Sequence, residues 1–399
     1  MPFEHHLNAD FDLSLRPRWR PPEGETARHR ITDLAWHALF LAQPADSVLV
    51  PEPAPEDFVD HLRRCDIQLP KLTVEPSCRS EQMLSPFGWN TAAVDRNHRY
   101  TAPFGHPPLD VVALVNGRRF SARLERELFD GDHIVAEVTG ETELIERLAH
   151  LPDEPKGWVL KAEHGNAGLG NRRLRGREPE AGDLTAVRRL FADGDTAVIE
   201  RWQQRLNDLC ATFVVDRAGG ATTIGLHETV NTANGALIGS LFHEDQTRIA
   251  PWRAAMIRAA EAVAKKLSDM GYHGPVCLDA FIWDDAGKHR LRPLVDLNAR
   301  REMSSGPSAL WRRLGGRGTA YWRFYTRRKI RLPDNYKDLE RALGDDAYDP
   351  ARRRGVLMTA PLWLGRTRRR PAKAALLFLA ADRDEALALD RRFRERFEP

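Results

Sequence analysis

The sequence has little cysteine and lacks long hydrophobic runs. Its 399 residues include four cysteines (Cys65, Cys78, Cys210 and Cys277), none of them in a Cys-x-x-Cys pair. We therefore expect ordinary reduced thiols rather than a zinc site or a disulfide framework. The apolar run at 374–381 is much shorter than the roughly 20 residues of a transmembrane helix, and residues 1–22 lack the apolar core of a signal peptide. These absences predict a cytoplasmic protein with no membrane partner.

Lysine is also scarce, with nine residues against 51 arginines, so a lysine inside a motif stands out. The formal net charge of +3 is nearly balanced for this length, whereas nucleic-acid-binding proteins usually carry a larger or more clustered positive excess. Arginine-rich runs occupy 327–329, 352–354 and 366–370. We interpret them as solvated faces of an arginine-biased protein, with an RNA or polyanion patch as the alternative.

Composition and periodicity divide the first part of the chain. Residues 1–30 are rich in charge and proline and are expected to form a loosely ordered arm. Residues 31–115 alternate helical and strand patterns, which predict a small α/β domain with parallel strands. Within it, the apolar run at 110–115 predicts the last strand, and residues 84–108 predict a long ordered loop.

The rest of the chain carries longer patterns. Residues 116–345 contain successive strand patterns and a long amphipathic helix at 248–270, and we expect a lid at about 152–199. Residues 346–399 predict a strand pair and a helix that pack on the preceding domain.

A lysine and a run of glycines follow one of these predicted strands. The strand at 158–161 ends in Lys161, and Gly165, Gly168 and Gly170 come next. Such a loop lets backbone N–H groups approach phosphates closely, because glycine has no Cβ in the way, and the lysine supplies a point charge. The lysine precedes the glycines, so this is not the phosphate loop GxxxxGK[ST]. On its own, a glycine-rich hairpin with a surface lysine explains the pattern as well.

Carboxylates and an amide form a second pattern on two predicted strands. Asp279 lies in the strand 276–283, and Asp296 and Asn298 lie in the strand 293–300. Side chains two residues apart on a strand share a face, and a hairpin would bring Asp279 beside the other two. Two carboxylates and an amide oxygen suit Mg²⁺ together with substrate phosphates. The alternative is a hydrogen-bonded hairpin on an exposed face.

Taken in order, these motifs resemble the ATP-grasp superfamily. The lysine, the glycine-rich loop, the segment Val-Ile-Glu-Arg-Trp at 198–202 and an Asp…Asp-x-Asn-x-Arg pattern ending at Arg300 follow one another between residues 116 and 301. The resemblance implies an α/β fold with an α+β lid, in which a small Rossmann-like pre-ATP-grasp domain precedes an ATP-grasp domain. It also implies ATP and Mg²⁺ as cofactors, with Mn²⁺ as an alternative to Mg²⁺.

The resemblance assigns a role to each motif residue. Lys161 and Arg300 would be catalytic: Lys161 would contact the α- and β-phosphates, and Arg300 would act on the transferred phosphate or a carboxylate substrate. The alternative for Arg300 is a surface ion pair with a residue such as Glu302. The implied nucleotide site consists of Arg118, Lys161, Gly165, Gly168, Gly170, Glu200, Trp202 and Asp208. Within it, residues 200–202 would form the adenine hinge, Asp208 would meet the ribose, and the glycine loop would close over the β- and γ-phosphates. The implied metal ligands are Asp279, Asp296 and Asn298.

Two positions depart from the family pattern. Arg118 stands where the family usually has lysine, and Asp296 stands where it usually has glutamate. Arginine keeps the charge and offers a planar fork for phosphate, whereas the shorter aspartate would shift or weaken the metal. We interpret Arg118 as a tolerated replacement, with loss of activity as the alternative.

The resemblance implies an ATP-dependent carboxylate–amine ligase. A substrate carboxylate would attack the γ-phosphate to give an acylphosphate, and an amine of an amino acid, small metabolite or peptide would displace the phosphate. Small molecules are then the expected partners, and a homodimer is left open. The alternatives are a nucleotide-binding protein of this fold without turnover and an arginine-rich RNA-associated protein. His227 and Glu228 could face an acceptor, although a structural role is the simpler interpretation.

Overall fold

The part of the chain that the structure describes forms three β-sheets, two of four strands and one of eight. The computed structural model describes residues 1–21, 23–74, 82–100, 103, 105–129, 131, 133–154, 156–165, 171–192, 194–232, 235–365 and 368–399. One hydrophobic core runs through the first sheet and the eight-stranded sheet, and the second sheet has a separate small core. Within the described ranges, no helix combines the length and the hydropathy that crossing a membrane requires.

The first sheet is parallel, with the order β3-β2-β1-β4. Its strands are Phe3–His6 (β1), Ser47–Leu49 (β2), Lys71–Thr73 (β3) and Met83–Pro86 (β4). The loosely ordered arm expected at 1–30 is therefore wrong, because β1 pairs on both sides within this sheet. The Glu4 carboxylate in β1 is fully buried and accepts hydrogen bonds from Thr73 (2.9 Å) and Tyr100. These partners offset the cost of burying a polar group, so a charged sequence can form a central strand.

Helices and one 3₁₀ segment lie between the strands of the first sheet and after its last strand. They are Phe11–Ser14 (α1), Glu25–Thr32 (α2), Asp33–Leu41 (3₁₀), Glu56–Arg64 (α3), Thr91–Asn97 (α4) and Leu109–Val115 (α5). The strand expected at 110–115 is wrong, because these residues belong to α5. Val112 and Val115 are buried whereas Leu114 is 52% exposed, so the helical repeat divides this apolar run between two faces. The loop expected at 84–108 contains most of β4 and all of α4.

The second sheet is antiparallel, with the order β5-β8-β6-β7. It follows the helix Arg118–Phe129 (α6), and its strands are Ile134–Val138 (β5), Trp158–Ala162 (β6), Arg172–Leu174 (β7) and Ala197–Arg201 (β8). Two helices, Glu141–His150 (α7) and Ala181–Ala192 (α8), contribute to its core. The unit thus begins before the lid boundary expected at 152, because β5 pairs with β8. Movement of this unit stays a prediction.

The third sheet is antiparallel, with the order β13-β12-β9-β10-β11-β14-β16-β15. Its strands are Arg205–Val215 (β9), Ala221–Asn231 (β10), Leu237–His243 (β11), Gly274–Asp285 (β12), Lys288–Asn298 (β13), Thr319–Thr326 (β14), Gly355–Met358 (β15) and Lys373–Ala380 (β16). The helices between and after them are Ala250–Asp269 (α9), Ser305–Arg313 (α10), Tyr336–Leu343 (α11) and Arg383–Phe397 (α12), and short 3₁₀ turns lie at Arg327–Lys329 and Gly344–Asp346. The C-terminal strands extend this sheet, because β16 pairs with β14.

The helix α10 packs closely against the 3₁₀ segment at Asp33–Leu41 through Gly306, the second residue of α10. A substitution at Gly306 tests this packing. A Cβ at Gly306 would lie 2.3 Å from the backbone carbonyl oxygen of His37, and a backbone atom cannot move aside cheaply. We expect Gly306→Ala to lower the free energy of unfolding by about 1–3 kcal/mol, the usual cost of overpacking, as measured by chemical denaturation. Gly182, the second residue of α8, is the matched control: a Cβ there meets no atom within 4 Å, so Gly182→Ala should be neutral or slightly stabilising. Equal stability of both variants would contradict the close packing.

Candidate functional site

A cleft of about 220 Å³ opens where the three sheets meet. Asp12 lines it from α1, Lys161 from the second sheet and Asp279 from the third. All the described residues of the sequence-predicted site line this one cleft: Arg118, Lys161, Gly165, Glu200, Trp202, Asp208, Asp279, Asp296, Asn298 and Arg300. Gly168 and Gly170 lie outside the described residues. The fold therefore brings motifs from distant parts of the sequence to one place.

Lys161 belongs to a buried ion network that the sequence analysis missed. Its Nζ lies 2.8 Å from Glu200 Oε2, and Arg292 Nη1 lies 2.8 Å from the same oxygen. Arg292 also donates two hydrogen bonds to the Glu125 carboxylate, at 2.6 and 2.7 Å. The four side chains come from β6, β8, β13 and α6, and none is more than 7% exposed. The network thus joins the second sheet and α6 to the third sheet through two cations and two carboxylates.

The pKa values in this network follow from burial and pairing. Burial lowers the pKa of Lys161 to about 8, and the nearby Glu200 carboxylate offsets only part of this effect. Burial alone would raise the pKa of Glu200, but Arg292 and Lys161 outweigh it and hold this pKa at about 2. At neutral pH Lys161 is therefore mostly protonated and Glu200 is ionised.

Glu125 carried a sequence signal that could have revealed the network. It lies in α6 on the same buried face as Ser121, Ala122 and Leu124. An acidic residue on the buried face of a helix needs a partner of opposite charge. Nothing local marks that partner, since Arg292 lies 167 residues further along the chain.

The implied adenine hinge differs from expectation in one respect. The Glu200 carboxylate is bound by Lys161 and Arg292, whereas Trp202 follows β8 and lines the cleft. The guanidinium groups of Arg173 and Arg205 lie 4.5 and 5.5 Å from the centroid of the Trp202 ring. Asp208 lines the same wall and pairs with Arg205 at 3.1 Å.

The carboxylates of β12 and β13 face each other across the predicted hairpin. Asp279 is directly opposite Asp296, and Cys277 is opposite Asn298, so the predicted pairing is confirmed. Asn298 Nδ2 donates to Asp279 Oδ2 at 3.0 Å and to Asp296 Oδ2 at 3.2 Å. Burial and the nearby Glu302 carboxylate raise the pKa of Asp279. Three oxygen-bearing groups converging in a buried corner fit a hard divalent cation, provided that the Asn298 amide turns its oxygen inward.

Arg118 occupies the edge of this acidic corner. Its guanidinium contacts the Asp296 carboxylate, and its side chain is 10% exposed. Burial lowers the pKa of Arg118, although the carboxylates around it act in the opposite direction. Arg118 is the first residue of α6, and its backbone N–H donates to the Glu163 carbonyl oxygen at 3.0 Å. The end of β6 therefore anchors the helix that carries Arg118.

Arg300 is held by the first part of the chain. Its Nε and Nη2 donate to the two oxygens of Asp12 at 2.6 and 3.0 Å, and Nη2 also donates to Asn298 Oδ1 at 3.0 Å. The guanidinium lies 4.9 Å from the centroid of the Phe87 ring. The alternative partner suggested from the sequence, Glu302, is therefore wrong; Glu302 instead pairs with His227 at 3.2 Å. Asp12 was not among the predicted site residues, because the surrounding segment was expected to be loosely ordered.

The fold class follows from the topology. A parallel α/β unit, an antiparallel four-stranded unit and a large antiparallel sheet enclose one cleft. The chain has the ATP-grasp fold preceded by a small Rossmann-like unit, and solved structures confirm this predicted fold class.

Several ligases of known structure share this fold. The biotin carboxylase domain of Hydrogenobacter thermophilus 2-oxoglutarate carboxylase, solved with MgADP, ADP and bicarbonate, has a TM-score of 0.52 at 14% identity, over 88% of this chain and 80% of that one. N5-carboxyaminoimidazole ribonucleotide synthetase from Thermus thermophilus has a TM-score of 0.53 at 16% identity, over 98% of each chain. Phosphoribosylamine–glycine ligase from Thermotoga maritima has a TM-score of 0.52 at 13% identity, over 93% of this chain and 95% of that one. At these identities the likeness is one of fold. The sequence matches no protein-family model and no curated protein.

Removing Arg292 tests the buried network. Arg292→Met would leave the Glu125 and Glu200 carboxylates buried without their shared cation, so we expect a loss of about 3–5 kcal/mol in the free energy of unfolding near neutral pH. Glu200 would keep its bond to Lys161, but the buried Glu125 carboxyl would lose its arginine, so its pKa would be raised further and it would take up a proton as the pH falls. The loss should therefore shrink from about pH 7 to about pH 5. Chemical unfolding at both pH values measures this loss.

Arg290→Met is the matched control, since Arg290 is exposed on the same strand and pairs with Asp285 at the surface, and this substitution should change stability by less than about 1 kcal/mol. A pH-independent loss would contradict the assignment.

Proposed function

We propose that the protein is an ATP-dependent ligase that activates a carboxylate substrate as an acylphosphate and passes the acyl group to an amine. The observation that supports this most is the meeting of two kinds of group in one cleft. Cations suited to phosphates, Lys161 and Arg118, lie beside a corner of oxygen ligands suited to Mg²⁺. The fold is also that of proteins solved with ADP and MgADP.

The nucleotide would lie between the second and third sheets. Lys161 and Arg118 would bind its phosphates, the backbone near Trp202 would meet the adenine, and Asp208 would meet the ribose. Glu200 is a positioning residue in this proposal, because its carboxylate holds the Lys161 ammonium at 2.8 Å. The loop at 165–170 would close over the phosphates, although residues 166–170 lie outside the described residues.

Asp279, Asp296 and Asn298 would hold Mg²⁺, with Mn²⁺ as an alternative. The metal would offset the negative charge of the phosphates as the carboxylate approaches. The Arg118 guanidinium contacts Asp296 in this structure, so the phosphates would have to draw Arg118 away before this carboxylate can serve the metal. An arginine suits such an exchange, because its planar fork binds carboxylate and phosphate alike.

The proposed reaction needs no covalent intermediate on the protein. An oxygen of the substrate carboxylate attacks the γ-phosphorus, and the bond to the β-phosphate oxygen breaks to release ADP. The amine nitrogen then attacks the acyl carbon, inorganic phosphate leaves, and the nitrogen loses a proton. Arg300 would stabilise the charge that gathers on the transferred phosphoryl group. Asp12 orients Arg300 through two hydrogen bonds.

One observation favours the alternative of a nucleotide-binding protein without turnover. The contact between Arg118 and Asp296 already neutralises one of the metal ligands, which would weaken metal binding. The RNA-associated alternative receives less support, because carboxylates already engage part of the arginine-rich runs. Arg352 pairs with Asp349, Arg369 with Asp33 and Arg370 with Asp334. We therefore propose a cytoplasmic enzyme with small-molecule carboxylate and amine substrates, and a homodimer stays a prediction.

Nucleotide binding is the first test. Millimolar Mg·ATP should raise the melting temperature of the protein by several degrees, since a ligand at 100 times its Kd adds about 2.7 kcal/mol of stability. Lys161→Ala should remove most of this shift. Lys156→Ala is the matched control, because Lys156 is an exposed residue just before the same strand, and it should keep the shift. Wild-type protein that shows no shift with Mg·ATP would refute the proposal.

Turnover distinguishes the ligase from a binding protein. Pooled amino acids and small carboxylic acids should increase ADP release from ATP in the wild type, and Arg300→Ala should lower kcat by roughly 10²-fold or more while nucleotide affinity stays nearly unchanged. Arg300→Lys should recover little, because a point charge cannot replace a two-pronged donor. Nucleotide binding without turnover for any substrate pool would favour the alternative function. Normal turnover by Arg300→Ala would move the role to Arg118 or Arg301.

A further inference from the structure

Four side chains with metal-binding atoms meet on one face of the third sheet, next to the cleft. Cys210 in β9 is directly opposite His227 in β10 and also opposite Asp279 in β12. Cys277 lies two residues before Asp279, so it shares the same face. Glu302, in the segment after β13, folds over this face and reaches His227. Strand pairing therefore assembles a cluster that sequence spacing does not show.

The distances within this cluster are short. The Sγ atoms of Cys210 and Cys277 are 2.6 Å apart, and a Glu302 carboxylate oxygen lies within 4.8 Å of both. His227 Nε2 lies 3.2 Å from the Glu302 carboxylate. The exposed fractions are 0% for Cys210, 2% for Cys277, 6% for His227 and 8% for Glu302. Three ligand atoms, those of Cys210, Cys277 and Glu302, thus converge within 4.8 Å of one another in a buried space, and His227 adjoins them through its contact with Glu302.

We propose that Cys210, Cys277 and Glu302 bind Zn²⁺ and that His227, which lies against Glu302, supplies the fourth ligand of a tetrahedral site. Two sulfur ligands with one imidazole nitrogen and one carboxylate oxygen are a ligand set that zinc favours, and four protein ligands are the mark of a structural zinc site. Binding would release the two thiol protons as the zinc–sulfur bonds form. Zinc at about 2.3 Å from each sulfur would set the sulfurs about 3.8 Å apart, so binding would separate them by about 1 Å.

This site is distinct from the proposed magnesium site, although the two adjoin. Cys277 Sγ lies 3.4 Å from Asp279 Oδ1, but the magnesium corner offers oxygen atoms and the new site offers sulfur and nitrogen. Hard and soft ligand sets select different metals. The zinc would tie β9, β10 and β12 to Glu302, two residues after Arg300. It would thereby fix the chain that carries Arg300 and Asn298, whatever reaction the cleft performs.

The test uses the reduced 399-residue protein. Elemental analysis should find about one zinc per chain after expression with zinc, and removal with a chelator should lower the melting temperature. Titration of the stripped protein with Co²⁺ should give thiolate-to-cobalt charge-transfer absorption together with the visible bands of a tetrahedral site. Cys210→Ser and Cys277→Ser should each weaken zinc binding by about 10²-fold or more. Cys65→Ser is the matched control, because Cys65 is also buried beside a histidine, with its Sγ 3.9 Å from His61 Nδ1, and it should bind metal as the wild type does.

Three outcomes would overturn the site. They are a reduced wild-type protein that binds no zinc or cobalt, thiolate–cobalt bands that keep their full intensity and cobalt affinity in both serine variants, and a Cys210–Cys277 disulfide whose reduction yields no metal binding. If the serine variants do not fold, His227→Gln and Glu302→Gln replace them; each should keep the charge-transfer bands but alter the visible bands, and unaltered bands would remove that residue from the site. Stabilisation by Mg·ATP reports on the proposed ligase separately. Either proposal can therefore fail while the other stands.

Discussion

The ion network of Lys161, Glu200, Arg292 and Glu125 is the interaction on which the cleft depends. It lies where the second sheet, α6 and the third sheet meet, and the second sheet has its own small hydrophobic core. Apolar packing alone would therefore leave this junction weakly defined. Charge-assisted hydrogen bonds have strict distances and angles, so the network fixes the Lys161 ammonium at a set position in the cleft. The same bonds hold the Glu200 carboxylate ionised and away from other partners.

A second ion pair extends this control to the first part of the chain. Asp12, in a helix of four residues, binds Arg300 through both of its oxygens. Arg300 in turn donates to Asn298, which donates to Asp279 and Asp296. A chain of hydrogen bonds thus runs from the first sheet's layer to the acidic corner. The positions of the proposed metal ligands therefore depend on the packing of α1 against the third sheet as well as on the β12–β13 hairpin.

Features set by local periodicity, such as strands and hairpins, could be predicted from the sequence. Contacts between elements that are distant along the chain could mostly not be predicted. The alternation around Asp279 and Asp296 sufficed to predict their hairpin, because strand side chains repeat every two residues. The run at 110–115 has the composition of a strand, and only burial of Val112 and Val115 on one helical face distinguishes it from one. Asp12 and Arg292 carry no local signal of their partners. Cys210 and Cys277 are 67 residues apart, so their spacing concealed a contact that adjacent strands create.

The ion pairs within the cleft affect how the proposed ligands would bind there. In this structure the three cations proposed to act on the phosphates each have a carboxylate partner: Arg118 has Asp296, Lys161 has Glu200, and Arg300 has Asp12. ATP alone would compete with these carboxylates, and Mg²⁺ alone would compete with Arg118 for Asp296. When both enter together, the phosphates draw Arg118 away while the metal takes the Asp296 carboxylate that it releases, and Glu200 and Asp12 keep their bonds to Lys161 and Arg300, so this exchange leaves no buried charge unpaired. The proposed function therefore implies that metal and nucleotide each bind weakly alone and strengthen one another, and by linkage the strengthening is the same in both directions.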